Sequence, residues 1–181
     1  MTPPVVRGIF VLLALALNAW PWFEPRSRAA PFVTPDPVQS TAESPHYREE
    51  FIADSAHPMS HVASITELPN GDLVSTWYAG SREGAGDVAI YLSRRALATQ
   101  RWSRPRAIVT RESAARDLHR YIRKVGNAVV FADPAGTLWL LYVTVSVGGW
   151  SGSSINLTTS TDGGVTWVPS RRLTLSPFFN L

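Results

Sequence analysis

The sequence predicts an all-β fold, organised as about two blades of a sheet-repeat β-propeller whose ring is incomplete. From about residue 58 the chain consists of short β-branched and aromatic runs separated by turn residues, with no helical periodicity of comparable strength. Two hairpin turns of similar composition follow one another, and several key positions recur at one fixed offset. A fixed internal period is typical of radially repeated sheets, whereas sandwich and jelly-roll folds do not require one.

The first hairpin is predicted at Pro69-Asn70-Gly71-Asp72, between strand-forming runs at 64–68 and 73–78. Asn-Gly supplies the positive φ angles that a tight hairpin turn demands. The same arrangement recurs at Asp133-Pro134-Ala135-Gly136. The chain therefore repeats a hairpin unit.

Equivalent positions of the two units are separated by one constant spacing, which we call the repeat offset. This offset separates the two turn glycines, the two leucines that open the following strands, and the two closing tryptophans: Gly71 and Gly136, Leu73 and Leu138, Trp102 and Trp167. Each unit also contains a third strand-forming run, at 87–93 in the first unit and 154–160 in the second. A short basic tail begins at the tryptophan of each unit, at 102–106 and 167–171. These features predict two four-stranded sheets.

The second unit ends in the pattern Ser-x-Asp-x-Gly-x-x-Trp, formed by Ser160, Asp162, Gly164 and Trp167. A short carboxylate in such a turn accepts backbone N–H groups, glycine takes the left-handed conformation, and tryptophan covers the sheet. We therefore predict a structural turn. A catalytic or metal-binding Asp162 is the alternative, but a carboxylate held by turn amides is poorly available to a ligand.

The N-terminus is predicted to lie outside the fold. Arg7 precedes an apolar run of about a dozen residues, which favours a cleaved signal peptide over a membrane anchor within residues 1–20. Prolines then make residues 21–57 an extended linker, and residues 58–181 form the propeller part. Both interpretations predict an exported protein, in the periplasm or outside the cell, that contacts a membrane only through a possible N-terminal anchor.

Composition excludes several classes of function. The net charge of +3 comes from scattered arginines, with Lys124 as the only lysine, so nucleic-acid binding is not expected. The absence of cysteine excludes disulfides and thiolate metal sites. His57 and His61 are four residues apart on an extended segment, and this spacing does not form a compact metal site. We expect no cofactor and no metal.

The Ser160–Trp167 pattern, known as an Asp-box, on this all-β repeat resembles the sialidase (neuraminidase) superfamily, in particular bacterial proteins with BNR or Asp-box repeats. The resemblance covers about residues 58–175. It implies an exo-acting glycoside hydrolase of carbohydrate metabolism whose partner is a glycan with an acidic terminal sugar. Fold analogy alone does not establish an enzyme, so a non-catalytic glycan- or protein-binding propeller and a lyase acting on uronate-containing polysaccharide remain alternatives.

The resemblance also implies site residues in the first unit. Asp87 matches the general acid, five residues after Arg82, which matches an arginine that holds the acidic sugar. His61 stands where the family has its first arginine, and a neutral imidazole cannot form the bidentate fork to a carboxylate. An ordinary solvated loop is the alternative for Arg82 and Asp87. Arg120, Arg123 and Lys124 form either a solvated basic turn or a group facing the central channel.

The family nucleophile, a tyrosine paired with a glutamate, normally comes from later blades, and no residue of this chain is assigned to it. Two units account for about 130 residues, whereas even a four-bladed ring would need about 260. We therefore expect an N-terminal fragment that shows no glycosidase turnover by itself.

Overall fold

The structure is a computed structural model that describes residues 8–9, 12–13, 47–52, 57–149 and 152–174. The chain divides into two compact units, Met1–Tyr47 and Arg48–Leu181. The residues described near the start of the first unit, 8–9 and 12–13, are helical. Most of the predicted signal segment and linker lies outside the described residues, so those boundaries remain predictions. None of the helices in the described ranges is long and apolar enough to cross a membrane.

The described part of the second unit contains nine strands and one helix. In chain order they are β1 (Met59–Glu67), β2 (Leu73–Gly80), β3 (Ala89–Ala96), β4 (Arg101–Trp102), β5 (Arg106–Val109), α1 (Arg111–Asp117), β6 (Lys124–Ala132), β7 (Leu138–Val145), β8 (Ser153–Ser160) and β9 (Arg171–Arg172).

The strands form two antiparallel sheets, which confirms the all-β prediction. Blade 1 has the order β1-β2-β3-β4, and the short strand β5 also pairs with β3. Blade 2 has the order β6-β7-β8-β9. The predicted four-stranded pattern therefore holds in blade 2, whereas in blade 1 the outermost strand is divided into two segments.

The repeat offset extends to the strand bounds and the backbone conformation. β6 begins and ends one repeat offset after β1, and β7 begins and ends one repeat offset after β2. The turn glycines Gly71 and Gly136 have φ angles of 81° and 83°. Each innermost strand also has an irregularity in its pairing, where Val62 and Asn127 take φ angles of 51° and 47°. A β-bulge of this kind turns the strand locally, and both blades use it at the same position.

Helix α1 connects the two blades and was not predicted. It has only seven residues, too few for a clear hydrophobic period. Its start is stabilised locally: the hydroxyl of Thr110 accepts the N–H of Ser113 at 3.1 Å, and the hydroxyl of Ser113 accepts the N–H of Thr110 at 2.9 Å. This reciprocal capping is the sequence signal for the helix.

The two blades share one hydrophobic core. Leu138, Leu140 and Tyr142 alternate along β7 with 0% exposure, and they pack against buried side chains of blade 1. The buried members of this core are Leu68, Val74, Tyr78, Ala85, Val88, Ile90, Leu92, Val109, Ala114, Ile122, Val125, Ala128, Val130, Leu138, Leu140 and Tyr142. Since alternate residues of a strand face opposite sides, Leu141 lies on the side of blade 2 that faces away from blade 1.

Hydrogen bonds also join the innermost strands of the two blades. The hydroxyl of Ser64 accepts the N–H of Val130 at 3.1 Å, and the hydroxyl of Thr66 accepts the N–H of Ala132 at 3.1 Å. The two contacts have the same sequence separation, so β1 and β6 run in the same direction. The starts of β1 and β6 therefore lie at one end of the blades, together with the loop between β2 and β3.

Candidate functional site

Loop 81–88 connects β2 to β3 and carries two of the predicted site residues. The N–H of Ala85 donates to the carbonyl of Arg82 at 3.1 Å, and Ala85 itself is buried. Gly84 has a φ of 69°, which a glycine adopts without strain. The loop is thus a folded turn with a buried centre, and the side chain of Arg82 is exposed on it.

Asp87 lies in this loop just before β3. Its Oδ1 accepts the hydroxyl of Ser81 at 2.9 Å, and its Oδ2 accepts the backbone N–H of Ser81 at 3.0 Å. The hydrogen bond from the Ser81 side chain is the largest cause that lowers the pKa of Asp87, and the nearby His57 imidazole adds to it. The carboxyl group is exposed. A general acid needs the opposite shift, so in this state Asp87 is poised as a carboxylate.

Cationic side chains approach the loop from distant parts of the chain. A Cβ placed on Gly86 would lie 2.8 Å from Nη1 of Arg111 at the start of α1. A Cβ placed on Gly84 would lie 3.5 Å from Nζ of Lys124, the first residue of β6. Arg111 is itself ion-paired with Glu112 at 2.9 Å. Arg111 and Lys124 therefore add positive charge beside the loop that carries Arg82.

His61 stands near the same end of the blade. It pairs with Tyr78, two residues before the end of β2, and the two rings have their centroids 5.8 Å apart. The side chain is exposed. Among the described residues, no hydrogen bond or ion pair joins His61 to Arg82 or Asp87. His61 instead lines a cavity of about 970 Å³ together with Trp77 and Tyr91.

The sequence analysis considered His57 only as a metal ligand and missed several other residues near the site. The His57 ring is tilted by 45° against the ring of Tyr91, with centroids 4.6 Å apart, and both line the same cavity as His61. Burial and the nearby Asp87 carboxylate raise the pKa of Tyr91. Ser81 and Arg111 were also missed. A serine six residues before an aspartate is a weak local signal, and nothing in the sequence links Arg111 to the loop.

The three basic residues before β6 do not act as one group. Arg123 is exposed and its guanidinium donates to the carbonyl of Gly148 at 3.4 Å. Lys124 lies beside Gly84 at loop 81–88. Arg120 is half-buried on another side, where burial and the nearby Arg172 lower its pKa. Of the three, Lys124 is therefore the one that lies beside the candidate site.

The Asp-box lies at the opposite end of the strands, between β8 and β9. Asp162 accepts hydrogen bonds from the Ser160 hydroxyl at 2.7 Å and from the N–H and hydroxyl of Thr166 at 2.9 and 2.6 Å. The N–H of Gly164 donates to the hydroxyl of Ser160 at 2.9 Å, and the indole of Trp167 donates to the Gly164 carbonyl at 3.1 Å. These contacts occupy the carboxylate within the turn.

The Asp-box turn also contacts blade 1. Arg106 donates to the carbonyl of Val165 at 2.9 Å. A Cβ on Gly164 would lie 2.9 Å from Cδ1 of Leu92, and a Cβ on Gly163 would lie 2.5 Å from Nη1 of Arg94. Both glycines have positive φ. The turn therefore needs glycine for its conformation and for the close approach of the neighbouring blade.

We expect the free energy of unfolding to fall as the pH drops below about 4, and Asp162→Asn to make that fall shallower. Hydrogen bonds from Thr166 and Ser160 hold the pKa of Asp162 far below its ordinary value. A lowered folded-state pKa gives stability that is present above the unfolded-state pKa and lost on acidification. Urea titrations monitored by tryptophan fluorescence between pH 2 and 7 measure how steeply the free energy of unfolding falls with pH in the wild type and in the variant. Equal slopes for the two proteins would contradict this assignment.

Comparison with known proteins identifies the fold. The family described as "BNR repeat-like domain" matches residues 71–181. Among solved structures, the Hadza microbial sialidase Hz136 superposes with a TM-score of 0.53 at 19% identity, covering 64% of this chain and 26% of that one. A mutant of the NanB sialidase from Streptococcus pneumoniae superposes with a TM-score of 0.50 at 12% identity, covering 72% of this chain and 39% of that one.

At these identities the structural matches establish the fold alone, which is that of sialidase-like propeller blades. The chain spans about a quarter of the length of the first sialidase and about two fifths of the second. The comparison with curated proteins found no match.

Proposed function

Since the chain belongs to the BNR repeat-like domain family, we propose that the end of its blades bearing loop 81–88 binds an acidic sugar, and that the full-length protein is an exo-acting, sialidase-like glycoside hydrolase. The supporting observation is that Arg111 and Lys124 approach the loop that carries Arg82 and the carboxylate of Asp87. Guanidinium groups bind sugar carboxylates through charge-assisted hydrogen bonds, and hydrolysis of a glycosidic bond requires a carboxyl group beside it.

In this proposal Arg82 holds the carboxylate of the sugar, and Asp87 protonates the leaving glycosidic oxygen and then activates water. Asp87 takes up a proton only when bound sugar removes water from the loop, because burial raises the pKa of a carboxyl group. The two hydrogen bonds from Ser81 oppose that change. The hydroxyl of Ser81 must therefore turn away, or be taken over by the sugar, before the acid step.

A glycan-binding propeller without turnover is the second candidate. It is favoured by the lowered pKa of Asp87, which leaves an anion where hydrolysis needs an acid. The imidazole of His61 favours it as well, because this group replaces a bidentate guanidinium. Both candidates share the acidic-sugar site and differ only in the role of Asp87.

Export belongs to the same proposal. Arg7 followed by a short apolar run is the layout of a signal peptide, and terminal acidic sugars of surface glycans lie outside the cell membrane. A fusion of residues 1–57 to a reporter enzyme that is active only outside the cytoplasm tests this part.

We expect the chain to bind sialic acid more tightly than galactose, and Arg82→Gln to weaken the binding of sialic acid about 10-fold. A lost charge-assisted hydrogen bond of about 1.4 kcal/mol corresponds to that factor. Isothermal titration calorimetry with the two monosaccharides measures it. The matched control is Arg101→Gln, which removes the same charge from an exposed arginine at the opposite end of blade 1.

The control variant should retain the wild-type affinity, and the affinity of the wild-type chain should fall as salt is raised, since exposed charges are screened. Equal affinity for the acidic and neutral sugars would exclude the site. An equal loss of affinity in Arg82→Gln and Arg101→Gln would mean that the effect comes from the overall charge of the protein and not from a site at Arg82.

A further inference from the structure

Three polar residues stand side by side on the face of blade 2 that points towards blade 1. Tyr142 on β7 pairs with Asn156 on β8, and Asn156 pairs with Arg172 on β9. Directly paired residues of neighbouring strands project to the same face of a sheet. Tyr142 and Asn156 are 0% exposed, so this polar row is covered rather than solvated.

The segment that ends α1 lies over this row. The N–H of Ser170 donates to Oδ2 of Asp117, the last residue of the helix, at 2.9 Å. Arg120 follows three residues later and lies close enough to Arg172 for the two like charges to lower the pKa of Arg120, after burial as the larger cause. We call Asp117, Arg120, Tyr142, Asn156 and Arg172 the crossover cluster.

Four buried polar atoms of the crossover cluster have no hydrogen-bond partner among the described residues: Nη1 of Arg120, Nε of Arg172, the hydroxyl of Tyr142 and Oδ1 of Asn156. Ser170 lies near Tyr142 but not in hydrogen-bond geometry with it. Burial raises the pKa of Tyr142 to about 12, so its hydroxyl remains a donor at neutral pH. An unpaired buried polar group is costly and calls for a partner.

The four atoms do not satisfy one another. The amide nitrogen of Asn156 donates to the carbonyls of Tyr142 and Ser154 and to the hydroxyl of Thr144, at 3.3, 3.0 and 3.0 Å. These contacts fix the amide orientation and make Oδ1 the acceptor. The Tyr142 hydroxyl can both donate and accept, yet none of the four atoms lies in hydrogen-bond geometry with another.

The cluster has two guanidinium groups but only one carboxylate, that of Asp117. Neither Arg120 nor Arg172 forms an ion pair with any carboxylate in the described ranges. One carboxylate is close, that of Asp117, but its Oδ2 accepts Ser170 and its Oδ1 lies 3.7 Å from the guanidinium of Arg116. Partly burying two guanidinium groups beside each other is unfavourable unless an anion compensates them.

We propose that the crossover cluster binds a small inorganic anion, with chloride as its simplest occupant, held between the guanidinium groups of Arg120 and Arg172 and the hydroxyl of Tyr142. A monatomic anion accepts several N–H and O–H donors at once and needs little room beside the fully buried Tyr142 and Asn156. Because the cluster joins the end of α1 to β7, β8 and β9, the anion stabilises the crossover between the blades. The crossover cluster shares no residue with loop 81–88, so the proposal does not depend on the proposed sugar binding.

Thermal unfolding tests this site. At constant ionic strength, replacing sodium gluconate with sodium chloride is expected to raise the midpoint of the wild-type chain by about 3–6 °C in a saturable way, because a ligand of the folded state alone stabilises it. Arg172→Met should abolish the chloride dependence. Arg171→Met is the matched control: it removes the same charge from the adjacent, exposed residue of β9 and should keep the full dependence.

A wild-type midpoint that is equal in chloride and gluconate would overturn the proposal, and so would an Arg172→Met variant that responds to chloride as the wild type does. Crystals of the wild-type chain grown in bromide give a readout that needs no variant. An anomalous peak between Arg120 and Arg172 supports the site, and density without an anomalous peak there refutes it.

Discussion

Replacing Asp87 with Asn is expected to lower kcat of the full-length protein on a fluorogenic sialoside by about 10²–10⁴-fold, the usual contribution of general acid–base catalysis. Asn keeps the size of the side chain and one oxygen for the Ser81 contacts, so the loop itself should survive. Steady-state kinetics measure the effect, and the binding of the sugar should change far less than turnover.

Asp133→Asn is the matched control for that experiment. Asp133 is an ionised turn carboxylate whose pKa is lowered by a hydrogen bond from Trp139 and by backbone N–H groups, but it lies at the opposite end of the blades. The Asp133→Asn variant should leave kcat unchanged. An Asp87→Asn protein with unchanged kcat would remove Asp87 from the mechanism, whereas sugar binding without any turnover in the wild-type protein would favour the glycan-binding candidate.

Ser81→Ala separates the role of Asp87 from a general loss of structure. Because the Ser81 hydroxyl is the largest cause of the lowered pKa of Asp87, its removal should raise that pKa. The protonated form would then persist to higher pH. If Asp87 is the general acid, the activity of Ser81→Ala should extend to higher pH than that of the wild type. A pH profile identical to the wild type would argue against the acid role.

Leu140→Ala is expected to lower the free energy of unfolding by about 2–5 kcal/mol. Leu140 is 0% exposed and lies in the core between the blades, so its truncation leaves a cavity that two packed sheets cannot easily close. Urea unfolding at pH 7, followed by tryptophan fluorescence, measures the loss.

Leu141→Ala is the matched control, because Leu141 is the next residue of the same strand and lies half-buried on the opposite face. It should cost distinctly less than Leu140→Ala. Equal costs for the two variants would mean that the blades do not pack through this face of β7.

The repeat and its turns could be predicted from the sequence because their causes are local. Gly71 and Gly136 take the positive φ angles that their turn positions require, and the strands on either side alternate with a period of two. The pattern from Ser160 to Trp167 likewise contains the groups that hydrogen-bond to Asp162, Ser160 and Gly164 within the turn. Such features depend on a few consecutive residues, so they can be identified without the fold.

The surroundings of the site could not be predicted in this way. Arg111 and Lys124 reach loop 81–88 only because α1 and β6 fold back towards it. The lowered pKa of Asp87 depends on the conformation that brings Ser81 to both of its oxygens. Sequence spacing identified Arg82 and Asp87 as candidates, but it carried no information about their electrostatic environment.

By itself, then, the sequence determined the all-β class, the repeat with its constant offset and the Asp-box turn, because backbone conformation and strand alternation are encoded over short stretches. Tertiary structure alone decided which distant cations surround Asp87 and which polar groups meet in the crossover cluster. Arg120 and Arg172 are far apart in the chain, and only the packing of α1 on blade 2 brings their charges together, since electrostatic interactions depend on distance in space.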